Sequence, residues 1–204
     1  MMDASQYVPS DPTDAVADMQ AACDALAARI LSRCADDGLM IAAAESLTGG
    51  LLADAFVRIP GASAVFLGSA VTYDIRAKRS ILGVDGTLLA REGAVHPDVA
   101  RAMASGTARL YTQDGEEGAV IGLSTTGVAG PGPDGDKPAG LVYVGIAMPM
   151  QRSVNGGRLA GDGRADDTAG ETEALELHLH GTREEVRRLT VLRVLEALAE
   201  RLGA

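Results

Sequence analysis

The feature that most constrains this chain is a short apolar run that ends at two polar residues. Residues 41–44 are small and apolar, which predicts a buried β-strand, and Glu45 and Ser46 follow directly. The pair Gly49-Gly50 then opens a predicted helix. A hydroxyl at such a junction meets the positive end of a helix dipole and unpaired backbone N–H groups. Ser46 therefore suits either a catalytic nucleophile or an ordinary helix N-cap, and its position alone favours the N-cap.

Strand and helix patterns alternate along the rest of the chain. Apolar residues at helical spacing predict a long first helix that starts at Thr13 or Asp14 and a last helix over residues 182–202. Because no sequence repeat interrupts this alternation, we expect one three-layer α/β/α sandwich with a mostly parallel or mixed sheet. The predicted strands cover 41–44, 64–73, 119–125, 141–147 and 175–179.

Two stretches fall outside this pattern. Residues 1–12 are polar and contain two prolines, which predicts a flexible N-terminal tail. Residues 151–171 are rich in Gly, Asp and Arg and poor in apolar side chains, which predicts a mobile surface loop. The folded domain is therefore predicted to span residues 13–204.

The composition of the chain excludes some classes of binding partner. A formal net charge of -10 opposes binding to a phosphate backbone, and 3% aromatic residues provide no platform for stacking bases, so we expect no nucleic acid partner. No signal-peptide pattern and no apolar run near eighteen residues is present, so we expect a cytoplasmic protein with no membrane contact.

Cys23 and Cys34 would lie about 16 Å apart on one helix face, too far for a disulfide. No cluster has metal-ligand spacing, and we expect no metal or other cofactor.

Three segments carry candidate catalytic or binding residues, and each follows a predicted strand. They are Glu45–Gly50, Tyr73 with Lys78, and residues 124–132. Parallel strands would bring all three to one crevice at their carboxyl ends. A nucleophilic serine needs a base, and the histidines lie in no motif, which leaves a lysine whose pKa burial can lower. From spacing alone, a solvated Lys78 is nevertheless the favoured interpretation.

The glycine-rich loop over residues 127–132 is the second candidate for ligand binding. Its backbone N–H groups suit a phosphate, although the spacing matches neither a P-loop nor a dinucleotide fingerprint. A plain turn between two strands explains the same pattern equally well.

Taken together, these segments resemble the CinA C-terminal domain family, the nicotinamide mononucleotide deamidases. The likeness covers about residues 15–149 and resumes in the final helix. It departs from the family at Leu47, where a Cys or other small residue is common, and at residues 151–171, which resemble an insertion. The matching motifs are Ala44–Gly50, Ile59–Ser63, Val71–Tyr73, Ala77–Lys78, Leu82–Val84, Gly93–Val95, Ala100–Ala104, Thr126–Gly132 and Lys137–Ala147.

The resemblance implies an amidohydrolase that converts nicotinamide mononucleotide to nicotinic acid mononucleotide and ammonia in pyridine nucleotide recycling. The nucleophilic serine of the family falls on Ser46, and its lysine and tyrosine fall on Lys78 and Tyr73. Its threonine falls on Thr125 or Thr126. Lys78 would deprotonate Ser46, and Lys78 or Tyr73 would protonate the departing ammonia.

Substrate contacts are expected from the two glycine-containing segments. Amides near Thr48, Gly49 and Gly50 would hold the oxyanion, and the 127–132 loop would take the 5′-phosphate. The resemblance also favours a homo-oligomer. A non-catalytic nucleotide-binding module and an amidase for another small carboxamide remain the alternatives. The predicted substrate-binding residues are Glu45, Thr48, Gly49, Gly50, Thr125, Gly127, Gly130 and Gly132.

Overall fold

A mixed five-stranded sheet organises the molecule. The computed structural model describes residues 12–149 and 169–204. The strands are β1 (Met40–Glu45), β2 (Phe66–Val71), β3 (Val120–Gly127), β4 (Leu141–Pro149) and β5 (Ala169–His178). The helices are α1 (Pro12–Asp37), α2 (Leu51–Val57), α3 (Ile75–Leu82), α4 (Gly86–Glu92), α5 (Pro97–Tyr111) and α6 (Arg183–Leu202).

The strand order is β2-β1-β3-β4-β5, and strand direction reverses between β3 and β4 and again between β4 and β5. Strand β1 pairs in parallel with both β2 and β3, whereas β4 is antiparallel to β3 and to β5. The predicted three-layer sandwich with a mixed sheet is therefore confirmed. The three parallel strands end at one edge of the sheet, as the convergence of the three segments requires.

Helices cover both faces of this sheet. One face packs on α1, α2 and α6, with Ile41 and Ala43 of β1 in that core. The neighbouring Ala44 points to the other face, where it packs with residues from α3, α4 and α5. This alternation is the period of two expected of a strand buried on both sides. Among the described residues, no helix combines the length and the apolar character that a bilayer span needs.

Helix α5 lies unusually close to the sheet because two strand residues are glycines. A Cβ atom on Gly122 would stand 2.0 Å from the carbonyl oxygen of Ala104, and one on Gly145 would stand 2.3 Å from that of Ala100. Neither position leaves room for a methyl group. These glycines therefore set the distance between α5 and the strands β3 and β4.

The structure differs from the sequence prediction mainly at element ends. Strand β5 begins at Ala169, so residues 169–171 are strand and not part of the predicted loop. The rest of that loop and residues 1–11 of the predicted tail lie outside the described residues. The helical spacing of apolar residues predicts that Val16 lies on the buried face of the first helix, but it is 41% exposed. Apolar residues keep their helical spacing at the start of α1, although that part of the helix does not pack on the core.

The two cysteines form no disulfide with each other, as predicted, and both are buried. Burial raises the pKa of the Cys23 thiol to about 11 and that of Cys34 to about 12. Both therefore remain protonated at neutral pH, and a protonated thiol is a poor nucleophile.

We expect Gly122→Ala to lower the free energy of unfolding by about 1–3 kcal/mol, because its methyl group would overlap a backbone carbonyl. Gly86→Ala is the matched control, since a methyl there would meet only the flexible side chain of Arg79 and alanine favours a helix. Urea unfolding of both variants measures the difference. Equal stability of the two would contradict the close packing of α5.

Candidate active site

The carboxyl ends of the three parallel strands open onto one cleft. Ser46 follows β1, Tyr73 follows β2, and Thr126 lies near the end of β3. The cleft has a volume of about 890 Å³ including the solvent at its mouth. Its lining comprises Ser46, Leu47, Tyr73, Ala94, Val95, Thr126–Asp134 and Arg183. The predicted convergence of the three segments is therefore found, and Gly127, Gly130 and Gly132 form part of the wall.

The turn that carries Ser46 is held by a buried carboxylate. Glu45 is fully buried, and its Oε2 accepts hydrogen bonds from the backbone N–H groups of Gly50 (2.9 Å) and Leu52 (3.0 Å). Its Oε1 accepts from the N–H of Ala53 (3.0 Å) and from Oγ of Ser69 (2.9 Å). Glu45 thus caps α2 from within the fold. It does not line the cleft, so its predicted role in binding substrate gives way to a structural one.

Ser46 and Lys78 form the central contact of the site. Nζ of Lys78 lies 3.0 Å from Oγ of Ser46 and donates a second hydrogen bond of 2.6 Å to the carbonyl oxygen of Thr72. Lys78 is fully buried, because it shares the inward face of α3 with Leu82. The favoured interpretation from spacing, a solvated lysine, is therefore wrong.

Burial gives this lysine a pKa suited to proton transfer. Desolvation lowers the pKa of Lys78 from 10.5 to about 8, and the charge of Asp74 opposes part of that change. A lysine with such a pKa is partly neutral near physiological pH, and a neutral amine accepts a proton. Ser46 and Lys78 therefore have the geometry and the proton affinity of a nucleophile and its base.

The two threonines that the sequence left undecided lie on opposite faces of β3. Thr126 lines the cleft, and its hydroxyl donates to the carbonyl oxygen of Ala94 at 2.7 Å. Thr125 points to the other face, where its hydroxyl lies 2.8 Å from that of Thr48. Thr48 and Thr125 are fully buried behind the turn and do not line the cleft. Of the two, Thr126 is the one within reach of a bound molecule.

Arg183 is a cleft residue that the sequence analysis missed. Its Nη1 donates to the carbonyl oxygen of Gly130 at 2.7 Å, and its Nη2 donates to the Tyr73 hydroxyl at 3.2 Å. Arg183 is the first residue of α6, where a helix dipole favours acidic side chains. A positively charged residue at the first position of a predicted helix is therefore the sequence signal that could have identified Arg183.

No histidine is among the described residues that line the cleft. His96 is the N-cap of α5, and its Nδ1 accepts from the N–H of Asp98 at 3.2 Å. The side chains of His178, the last residue of β5, and His180 are exposed. Within residues 12–149 and 169–204, no group of three His, Cys, Asp or Glu side chains has the arrangement of a metal site.

Comparison with known proteins identifies the family. A sequence model described as the CinA C-terminal domain matches residues 23–176. The chain belongs to the CinA C-terminal domain family. A CinA-like protein of Frankia casuarinae is 45% identical over 155 residues, which are 76% of this chain and 34% of that protein. A CinA-like protein of Geobacter sulfurreducens is 43% identical over 142 residues, or 69% of this chain and 33% of that one. The chain thus spans about a third of the length of these curated relatives.

Solved structures of the CinA family share the fold. The competence/damage inducible protein CihA of Agrobacterium tumefaciens superposes with a TM-score of 0.71 at 33% identity, covering 90% of this chain and 96% of that one. The competence damage-inducible protein A of Klebsiella pneumoniae gives a TM-score of 0.73 at 28% identity, covering 89% and 97%. The likeness to CihA supports the predicted resemblance at the level of family and fold.

Replacing Lys78 tests how much stability the buried amine costs. The unfolded chain binds a proton at Lys78 up to pH 10.5, whereas the folded protein releases it above about pH 8, so wild-type stability rises between these values. We therefore expect Lys78→Met to raise the free energy of unfolding at pH 6 by about 1–3 kcal/mol and to lose this advantage by pH 10.

Urea unfolding at pH 6, 8 and 10 measures this effect. Lys137→Met is the matched control, because that lysine is partly exposed and pairs with Asp136. The control should follow the wild-type dependence on pH. A Lys78→Met protein that is less stable than wild type at pH 6 would contradict a destabilising buried amine.

Proposed function

We propose that this chain hydrolyses the carboxamide of nicotinamide mononucleotide to give nicotinic acid mononucleotide and ammonia. The observation that carries the proposal is the contact between a buried, low-pKa Lys78 and Ser46 at the floor of an open cleft. Membership of the CinA C-terminal domain family supports the same reaction class.

The first half of the reaction forms an acyl-enzyme. Neutral Lys78 takes the proton of Ser46 through the existing 3.0 Å contact, and the Ser46 oxygen attacks the amide carbon. The carbonyl oxygen becomes an oxyanion that backbone N–H groups after Ser46 stabilise. Protonated Lys78 then passes its proton to the amide nitrogen, the C–N bond breaks, and ammonia leaves.

The second half restores the enzyme. Neutral Lys78 takes a proton from water, the resulting hydroxide attacks the ester carbon, and the acid product leaves as Ser46 regains its proton from Lys78. The carbonyl oxygen of Thr72 holds the amine in place throughout, since it accepts from Nζ at 2.6 Å. Ser46 and Lys78 thus complete the cycle without a third titrating group, and Tyr73 is left to position substrate.

We assign the 5′-phosphate to the part of the cleft wall that the glycine-rich loop and Arg183 form. Arg183 presents the cleft with a guanidinium beside the glycine-rich loop, and it connects that loop to Tyr73. Guanidinium groups bind phosphate with paired hydrogen bonds. The loop and Arg183 together make the proposed phosphate subsite, which refines the loop-only site expected from the sequence.

Ammonia release from nicotinamide mononucleotide, nicotinamide and glutamine tests the reaction and the substrate class. We expect turnover of the nucleotide above both others, and a loss of a thousandfold or more in kcat, roughly, for Ser46→Ala. Ser124→Ala is the control, because that buried serine donates to the carbonyl oxygen of Ala100 and does not line the cleft.

The pH dependence of the rate is a second test of the proposed reaction. Because the base must be neutral, kcat/KM should rise with pH and level off above the Lys78 pKa of about 8. Full activity of Ser46→Ala would contradict the nucleophile. Preference for glutamine or nicotinamide would favour an amidase for another carboxamide, and nucleotide binding without turnover would favour a non-catalytic module.

Comparing a nucleotide with its nucleoside isolates the role of Arg183. We expect Arg183→Met to raise KM for nicotinamide mononucleotide about 10- to 100-fold, because a phosphate contact is lost. KM for nicotinamide riboside, which has no phosphate, should change less than threefold, roughly, since no charged partner is removed. Arg193→Met, which removes a surface arginine paired with Glu196, is the control. Equal losses for both substrates would contradict the assigned subsite.

A further inference from the structure

We infer that Asp134 is a specificity residue that favours substrates with a positively charged ring. This inference rests on the proposed function and deepens it, because nicotinamide mononucleotide carries a pyridinium cation as well as a phosphate. A single ring atom separates the charged nitrogen from the carbon that bears the carboxamide. The cation therefore enters the cleft together with the amide that Ser46 attacks.

Asp134 lines the same cleft as Ser46 and Arg183. It is the only Asp or Glu among the described residues that form the lining of that cleft. Its side chain is exposed, and within residues 12–149 and 169–204 it forms no ion pair and no hydrogen bond. The carboxylate is therefore available to a molecule in the cleft.

The position of Asp134 depends on its backbone and not on its side chain. Its N–H donates to the carbonyl oxygen of Lys137 at 2.9 Å, and the N–H of Lys137 donates back to the carbonyl oxygen of Asp134 at 3.0 Å. The amine of Lys137 pairs with Asp136 at 3.5 Å. A substitution that changes only the side chain of Asp134 should therefore leave the loop in place.

Glu45 and Asp74 offer no carboxylate to the cleft. Glu45 is fully buried and accepts from the N–H of Gly50, so that this N–H is not available to substrate, contrary to the expectation from the sequence. Asp74 pairs with Arg76 at 2.7 Å and does not line the cleft. Asp134 is thus the carboxylate that remains for a cationic ligand.

The other charges at the cleft would repel a pyridinium. Arg183 is a cation, and Lys78, with a pKa of about 8, is mostly protonated at neutral pH and lies 3.0 Å from Ser46. Like charges oppose binding, and the apolar walls of a cleft strengthen their effect. A negative charge on the wall offsets this repulsion, and Asp134 supplies it.

The opposite charges of Arg183 and Asp134 lie at one short loop. Arg183 donates to the carbonyl oxygen of Gly130, and a fully extended chain from there to Asp134 would span at most about 14 Å. The real separation is shorter, because Gly130 and Gly132 have left-handed φ values of +84° and +81° that bend the loop. The cleft thus presents a cation for the phosphate and a carboxylate for the ring.

Binding measures this effect better than rate, because the charge on the ring also changes the reactivity of the amide. Benzamide riboside 5′-monophosphate is the neutral probe, since it keeps the carboxamide, the ribose and the phosphate but has carbon in place of the ring nitrogen. Ser46→Ala is the background protein, so that neither ligand is hydrolysed. Isothermal titration calorimetry gives Kd for both ligands, and the phosphate contact cancels in the ratio of the two values.

We expect Asp134→Asn to weaken binding of nicotinamide mononucleotide about three- to fivefold and that of the neutral probe less than 1.5-fold, roughly, because an exposed charge pair is lost. Asp134→Glu keeps the charge and should keep the preference. Asp136→Asn is the matched control, since that residue lies on the same loop, pairs with Lys137 and does not line the cleft. Raising the salt concentration to about 0.5 M should reduce the preference of the background protein, because exposed charges are screened.

Equal weakening of both ligands would overturn the inference and assign Asp134 to the ribose hydroxyl groups. An unchanged ratio of the two Kd values, the same loss in Asp136→Asn, or no binding of the nucleotide would overturn it as well. Ammonia release by the wild-type protein is measured in parallel. A preference that depends on Asp134 without ammonia release would support the inference and contradict the proposed reaction, whereas release with an unchanged ratio would do the reverse.

Discussion

A single hydrogen bond between an amine and a hydroxyl, formed away from water, is the contact on which the candidate site depends. Lys78 reaches Ser46 only because α3 turns its apolar face inward and carries the lysine with it. The same burial that brings the two atoms to 3.0 Å also lowers the pKa of the amine. Position and proton affinity therefore have one physical cause, and the fold tolerates the cost of desolvating a charge in order to keep both.

The turn that carries Ser46 is fixed from two sides. Glu45 holds the N–H groups at the start of α2, and Arg187 holds the carbonyl groups of the preceding residues. The carboxylate of Glu45 thus accepts hydrogen bonds from backbone N–H groups, and the guanidinium of Arg187 donates hydrogen bonds to backbone carbonyl groups. Side chains cap the two ends of a helix in the same way. A tight, glycine-containing turn placed between two opposite charges has little freedom to relax, which suits a nucleophile that must keep its distance from a base.

Sequence reasoning found the sheet class and the three converging segments, because strand period and polar residues after strands are local signals. It misjudged Lys78, since spacing from Tyr73 says nothing of burial, although Leu82 four residues later marked the inward face of α3. It placed Glu45 among substrate contacts and missed Arg183 and Arg187. These contacts form because α6 and α2 pack near the turn that carries Ser46. Residues of α6 are separated from their partners by more than a hundred positions in the sequence. No local sequence pattern predicts contacts over such separations.

The reversal of strand direction between β3 and β4 has a consequence for how the cleft can vary. Because β4 runs back along β3, the connection between them stays at the edge where the parallel strands end. A crossover would instead have placed a helix over the sheet. Ser46 directly follows β1 and Lys78 lies in α3, whereas the connection from β3 to β4 is a surface loop, and such loops generally tolerate changes in length and composition. A change in that loop would therefore reshape the wall of the cleft and leave the contact between Ser46 and Lys78 in place.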